Sequence, residues 1–328
     1  MTLIGAGGSP PDVTVLVPAK DEAGNLERFV TLFEEALRDQ PATYELVVID
    51  DGSTDGTADV LARLQTDRPW LHVATHRRQR GIADALRTGY QRARGRILVF
   101  YPADLQFLPG EIPTLTGPIL ADEADVVTGT KQGNYNKAFV SGIYNRLCRW
   151  LFGVRVSDLN AVKAYRTELM SLLPNRPDWH RFMVVIAAVE GFRIAERPVT
   201  LYPRHAGQSK FGLGRIPIGM TDLLSVWFQL RFGRKPMLFF GVSGGILFAL
   251  GFLVGVAALV ARFGYGVGFR PLLNLVMVLV ISGIALFGFG FVGEMLAGTR
   301  EEIRSLHDAV DQLRSDLGRT TRPPTRPR

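Results

Sequence analysis

The stretch Glu45-Leu46-Val47-Val48-Ile49-Asp50-Asp51-Gly52-Ser53-Thr54-Asp55 decides the fold. A short β-branched run predicts a strand over Glu45–Ile49, and the acids, glycine and hydroxyls after it predict a loop. The Ser53–Thr57 end of that loop can cap a helix over Thr57–Leu64. Similar runs predict strands over Val13–Val17, Leu71–Thr75, Ile97–Tyr101 and Asp125–Thr128. A helical pattern over Asn25–Leu37 separates the first two. Strands alternating with helices imply an α/β domain with a largely parallel sheet. In such sheets ligands bind beyond the carboxyl ends of the strands.

Three of those ends carry acids. Pro18-Ala19-Lys20-Asp21-Glu22 follows the first strand, Asp50 to Asp55 the second, and Pro102-Ala103-Asp104-Leu105-Gln106 the fourth. Carboxylates on one edge can accept hydrogen bonds from a base or ribose, or hold a divalent cation that bridges phosphates. Singly, Asp50 or Asp51 could cap a helix and Asp104 could sit in a turn. Three together favour a site.

Beyond residue 210 the composition changes. Met237–Ala261 and Pro271–Gly293 contain no charged residue. Each exceeds the roughly 20 residues that cross a bilayer core as a helix. The short connection Arg262–Arg270 makes them a hairpin. No signal-peptide pattern opens the chain, and Arg231, Arg234 and Lys235 precede the first run, so the expected location is the inner (plasma) membrane, multi-pass, with the catalytic domain cytoplasmic. Residues 211–235 predict one or two interfacial helices with Trp227 at headgroup level. Ile303, Leu306, Val310, Leu313 and Leu317 form a seam about two heptads long, too short to hold a coiled coil alone. It predicts a cytoplasmic amphipathic helix over 297–317 that packs on itself or on a second copy, hence a homo-oligomer. Residues 318–328 carry four arginines and no acid, and are expected to form a disordered basic tail.

The net charge of +7 admits nucleic acid, an anionic membrane or a phosphorylated substrate. The hairpin, and the lack of any nucleic-acid-binding motif, argue against the first. One cysteine, Cys148, excludes an intramolecular disulfide and a multi-cysteine metal cluster. The basic residues of 131–166 face a single acid, Asp158. Lys137 and Ser141, four apart, would share one face of a helix.

These motifs resemble the family 2 glycosyltransferases of GT-A fold. The similarity is greatest to their polyprenyl-phosphate group, which includes the dolichol-phosphate mannose synthases. Gly129-Thr130-Lys131, residues 145–153, the Asp158–Arg166 stretch, Arg204 with Ser209-Lys210, and the hairpin carry the closer likeness. The resemblance implies an inverting transferase that moves a sugar from a nucleotide diphosphate sugar to an undecaprenyl or dolichyl phosphate. The GT-A catalytic domain would occupy 1–210, the membrane helices 236–296. The implied donor set is Pro18, Ala19, Asp21, Glu22, Asp50, Asp51, Ala103, Asp104, Gln106, Arg204, Ser209 and Lys210. Asp104 and Gln106 would hold Mg²⁺ or Mn²⁺, and Lys131, Lys137 and Ser141 the acceptor phosphate. Asp104, Arg204 and Lys210 would be catalytic, the last two in a loop over the diphosphate.

Three departures stand out, one of them Asp21 where the family often has asparagine, which bears on donor preference. Pro102 replaces an acid usual near the metal, and Lys131 and Lys137 stand where arginine is frequent, exchanging bidentate contact for point charge. Pro102 keeps alive the alternative of a non-catalytic scaffold that binds nucleotide sugars. A polysaccharide synthase is a lesser rival, because Arg146-Leu147-Cys148-Arg149-Trp150 lacks the glutamine of that family's Gln-x-x-Arg-Trp motif.

Overall fold

The computed structural model describes residues 3–5, 8–132, 146–154, 156, 158–159, 161–172, 179–203, 216–266, 268 and 270–320. They fall into two compact units, Met1–Leu224 and Ser225–Arg328.

The first unit is built on a mixed seven-stranded sheet of order β3-β2-β1-β4-β6-β5-β7. β1 (Val13–Ala19), β2 (Tyr44–Asp50), β3 (Leu71–Thr75) and β4 (Ile97–Phe100) run parallel. All seven residues of β2 are buried, because helices cover both faces of the parallel half. On one face lie α1 (Ala23–Leu37), α2 (Thr57–Thr66) and α4 (Ile112–Leu120). Phe29, Phe33, Leu61 and Leu115 pack there on Val15, Val48 and Val99. α3 (Ile82–Arg92) covers the other face so closely that a Cβ at Gly89 would lie 2.8 Å from the Ile49 side chain.

The expectation of a largely parallel sheet holds for this half only. β5 (Val126–Gln132) reaches β4 through β6 (Lys163–Arg166), which is antiparallel to both neighbours, and β7 (Ile194–Thr200) then runs parallel to β5 at the edge. Because β6 is reversed, its first residue, Lys163, sits opposite Phe100 at the carboxyl end of β4. Residues 146–152 form α5, followed by α6 (Leu169–Leu172) and, after a 3₁₀ turn at Trp179–Phe182, α7 (Met183–Val189).

α8 (Ile216–Phe232) is one helix. In the second unit α9 (Pro236–Gly264) and α10 (Arg270–Thr320) pack together. Two segments, Pro236–Gly264 and Arg270–Ile303, are long and apolar enough to cross a membrane, with mean hydropathy 2.4 and 2.6. The pair closes at glycines: a Cβ on Gly244 would lie 2.6 Å from the Gly283 carbonyl oxygen. Small residues let helix backbones approach this way in lipid. The helix expected at 297–317 lies within α10, which passes from the second apolar run to Thr320 without a break. The sequence between them holds no proline to stop it.

Candidate active site

The carboxyl ends of β1 and β2 are joined by hydrogen bonds between their loops, several of them accepted by the acids. Asp21, with a positive φ of 56°, accepts from Thr54 N at 2.8 Å, while its own N–H donates to Ser53 Oγ at 2.9 Å. Lys20 Nζ donates to the Gly52 carbonyl and pairs with Asp21 at 3.4 Å. Glu22 N donates to Thr57 Oγ1 at 2.9 Å, and the Glu22 carboxylate accepts from Asn25 Nδ2 at 2.6 Å. Asp55, at the expected capping segment, accepts from Thr57 N at 3.0 Å and Ala23 N at 3.2 Å, so it ties the starts of α1 and α2.

The two aspartates that end β2 have different tasks. Asp50 Oδ1 accepts from Ser53 N at 2.9 Å and so closes the local turn. Asp51 reaches the loop after β3: it accepts from Arg80 N and Gly81 N, each at 2.8 Å, and meets His76 Nδ1 at 2.8 Å. Burial works against its charge, but bonds from His76, Arg80 and Gly81 outweigh it and hold the carboxyl below its ordinary range. Gly52 sits beneath that loop with φ of 67°, where a Cβ would stand 2.6 Å from the Arg78 backbone. His76 went unread in the sequence. It follows the third strand, so the strand-end rule applied once more would have found it.

After β4 the chain alternates strictly. Tyr101, Ala103, Leu105 and Phe107 are buried; Pro102, Asp104 and Gln106 are partly exposed. Leu105, at φ of 57°, bends the chain, and Asp104 Oδ1 accepts from Gln106 N at 3.2 Å. Asp104 and Gln106 thus share one turn, and their side chains offer one carboxylate and one amide oxygen. Among the described residues no three His, Cys, Asp or Glu side chains gather to hold a metal. An all-oxygen pair fits a hard ion such as Mg²⁺, which binds through one or two carboxylates, substrate phosphates and water. Tyr202 N donates to the Gln106 carbonyl at 2.9 Å, which anchors Tyr202 to this loop.

Lys131, near the end of β5, pairs with the buried Asp158 at 3.1 Å. Lys163, His180 and Arg181 are close enough to act electrostatically on one another. Burial, with Asp158 opposing and Lys131 and Arg181 assisting, draws the Lys163 ammonium down to about 8. His180, whose ring packs edge-on to Phe100, is lowered to about 3 by burial and by Lys163 and Arg181. Pro18 is half-buried and Ala19 and Ala103 are buried. Lys137, Ser141, Arg204, Ser209 and Lys210 lie outside the described residues.

The family model "Glycosyl transferase family 2" matches residues 14–163. A dodecaprenyl-phosphate galacturonate synthase of Rhizobium johnstonii is 32% identical over 299 residues, covering 88% of each chain. An undecaprenyl-phosphate 4-deoxy-4-formamido-L-arabinose transferase of Shewanella sediminis is 26% identical over 305 residues, covering 89% of each. Among solved structures, glucosyl-3-phosphoglycerate synthase of Mycobacterium tuberculosis with Mg²⁺ and UDP aligns with TM-score 0.54 at 20% identity, over 67% of this chain and 79% of that one. The same enzyme with Mn²⁺, UDP and its product gives 0.53 at 19%, over 67% and 80%. Those likenesses concern the fold. The chain belongs to the family 2 glycosyltransferases of GT-A fold, within their polyprenyl-phosphate glycosyltransferase group.

Proposed function

We propose that this chain transfers a sugar from a nucleotide diphosphate sugar to a polyprenyl phosphate, with inversion, at the cytoplasmic face of the inner membrane. The observation that carries the reading is the paired presentation of Asp104 and Gln106 beside the hydrogen-bonded ends of β1 and β2. Two helices of membrane-crossing length in the same chain support a lipid acceptor. The two relatives named above differ in their sugars and agree on a polyprenyl phosphate, so the acceptor is the shared element.

The chemistry asks little of a general base. A lipid phosphate is anionic near neutral pH and can attack the anomeric carbon directly. The remaining barrier lies in aligning the acceptor and stabilising charge on the leaving diphosphate. Pro18, Asp21, Glu22, Asp50 and Asp51 would frame the nucleoside, with Asp51 acting indirectly by fastening the loop after β3. Asp104 and Gln106 would hold Mg²⁺ or Mn²⁺, which supplies Lewis-acid charge to the diphosphate. Lys131, Lys137 and Ser141 would take the lipid phosphate, and Arg204, Ser209 and Lys210 the diphosphate. The seam on α10 would join copies into a homo-oligomer.

Purified protein, polyprenyl phosphate and a panel of UDP- and GDP-sugars, with mass spectrometry of the lipid fraction, identify donor and product together. Asp104→Asn should abolish transfer and leave membrane insertion intact. Near-wild-type turnover by that variant would sink the assignment, and nucleotide-sugar binding without any lipid product would make the wild-type chain a scaffold.

A further inference from the structure

The segment Arg146-Leu147-Cys148-Arg149-Trp150, an imperfect match to a synthase motif, forms most of α5 and takes no part in the transfer described above. Arg146, Arg149 and Trp150 are exposed, and a spacing of three and four places them on one face of the helix. The other side is turned inward. Cys148 is 1% exposed, and the Phe152 ring lies 6.5 Å from that of the buried Phe182. α5 is thus pinned to the core with two guanidinium groups and an indole facing out. Trp150 is 78% exposed, more than any other large apolar side chain among the described residues of the first unit.

An indole left in water forfeits the large gain that burying an aromatic brings. The surroundings of this one define what could cover it. Between residues 131 and 166 the one acid is Asp158, which is buried, so no carboxylate of the segment answers the arginines from the surface. The matching partner carries negative charge. It also offers an apolar layer beneath a wet one, which suits an indole with a polar N–H and arginines with apolar stems. A bilayer surface with anionic headgroups has both properties. The chain brings one within reach through Pro236–Gly264 and Arg270–Ile303. A second copy fits less well, because a two-fold contact would set these arginines against their own equivalents.

We propose that the face of Arg146, Arg149 and Trp150 on α5 rests on anionic lipid headgroups and holds the catalytic unit on the membrane surface. Arg146 stands five positions after Ser141 in the chain, so this contact would tether the segment read as the lipid-phosphate site at the level where a lipid phosphate lies. The proposal rests on the membrane reading of the two long helices.

The test uses the full chain in nanodiscs of brominated or unbrominated phosphatidylcholine, with and without phosphatidylglycerol, read by tryptophan fluorescence. Trp70, Trp179 and Trp227 are common to wild type and Trp150→Phe, so the difference in emission isolates Trp150. That emission should be quenched by bromine in discs that contain phosphatidylglycerol, and much less in discs without it. Each arginine is worth about fivefold in the contact, so Arg146→Gln with Arg149→Gln should weaken it about 25-fold and restore most of the emission. High salt should act in the same direction. Every substitution is at an exposed position and removes no core packing.

Trp150 emission that ignores bromine would overturn the proposal, and if Trp150→Asp also lowers the oligomeric mass, the face belongs to a second copy. Quenching that ignores phosphatidylglycerol, salt and both arginines would overturn it as well, since a contact of that kind is not made through charge. A chain that stays in solution without detergent or discs would refute the membrane reading beneath the proposal.

Discussion

Glu45→Gln tests how the amino end of the sheet is held. The Glu45 side chain is fully buried at the start of β2. Its carboxylate accepts from Thr14 Oγ1 at 2.6 Å and from Arg94 N and Nε at 2.8 and 2.9 Å, and pairs with Arg94 Nη2 at 2.7 Å. Burial alone would raise its pKa; His72 Nε2 at 3.5 Å and the bonds from Thr14 and Arg94 overcome that and bring it from 4.5 to about 2. A drop of roughly 2.5 units corresponds to about 3 kcal/mol of folding free energy. The folded value lies below the unfolded one, so this stability is present above about 4.5 and is lost as pH falls toward about 2. Removing it at neutral pH should lower the melting temperature of a unit this size by about 6–12 °C. Intrinsic fluorescence in detergent is a suitable assay, because Trp70 is buried against Phe33 with ring centroids 5.4 Å apart. The variant should also lose less stability than wild type between about pH 5 and about pH 3. Equal pH slopes for the two proteins, or an unchanged melting temperature at neutral pH, would refute the reasoning.

Gly52→Ala should raise the Michaelis constant for the donor about tenfold, since the new methyl group displaces the loop that Asp51 holds through charge-assisted bonds. Steady-state kinetics with varied donor measure this, and an unchanged constant would mean the loop does not shape the donor site. Gly244→Leu should open the hairpin at its closest approach and lower thermal stability in detergent, with Gly244→Ala milder; equal melting of all three would deny close packing there. Excess EDTA should stop transfer and added Mg²⁺ or Mn²⁺ restore it. Full turnover in EDTA would remove the metal from the mechanism.

The parallel half of the fold was legible because both faces of each strand are covered, which writes a dense apolar run into sequence, as in β2. β6 and β7 left no such mark. Lys-Ala-Tyr-Arg at 163–166 is four residues long and begins and ends on a cation, and β7 is an edge strand containing Pro198, as edges tolerate. Of the site, the acids were legible because each lies at a strand's carboxyl end or within a few residues of it. Their division of labour was not. Asp51 looks like Asp50 in sequence, and only the return of the chain at 76–81 turns one into a fastener. The pairing of Lys131 with Asp158 was equally hidden, because 27 positions separate residues that β5 and the approach to β6 bring together.

The unbroken course of α10 fixes a rotational phase. Its 51 residues extend about 77 Å at 1.5 Å per residue, against a hydrocarbon core of about 30 Å. Ile303 and Leu306, both more than half exposed or nearly so, lie on the same rod as the residues of the second span. Each residue added between span and seam would turn everything beyond it by about 100°. One inserted alanine would turn the seam about 100° from its bearing, whereas seven would return it to within about 20°. The end of this helix is a shaft, and only insertions near whole multiples of its turn leave the seam on its original bearing.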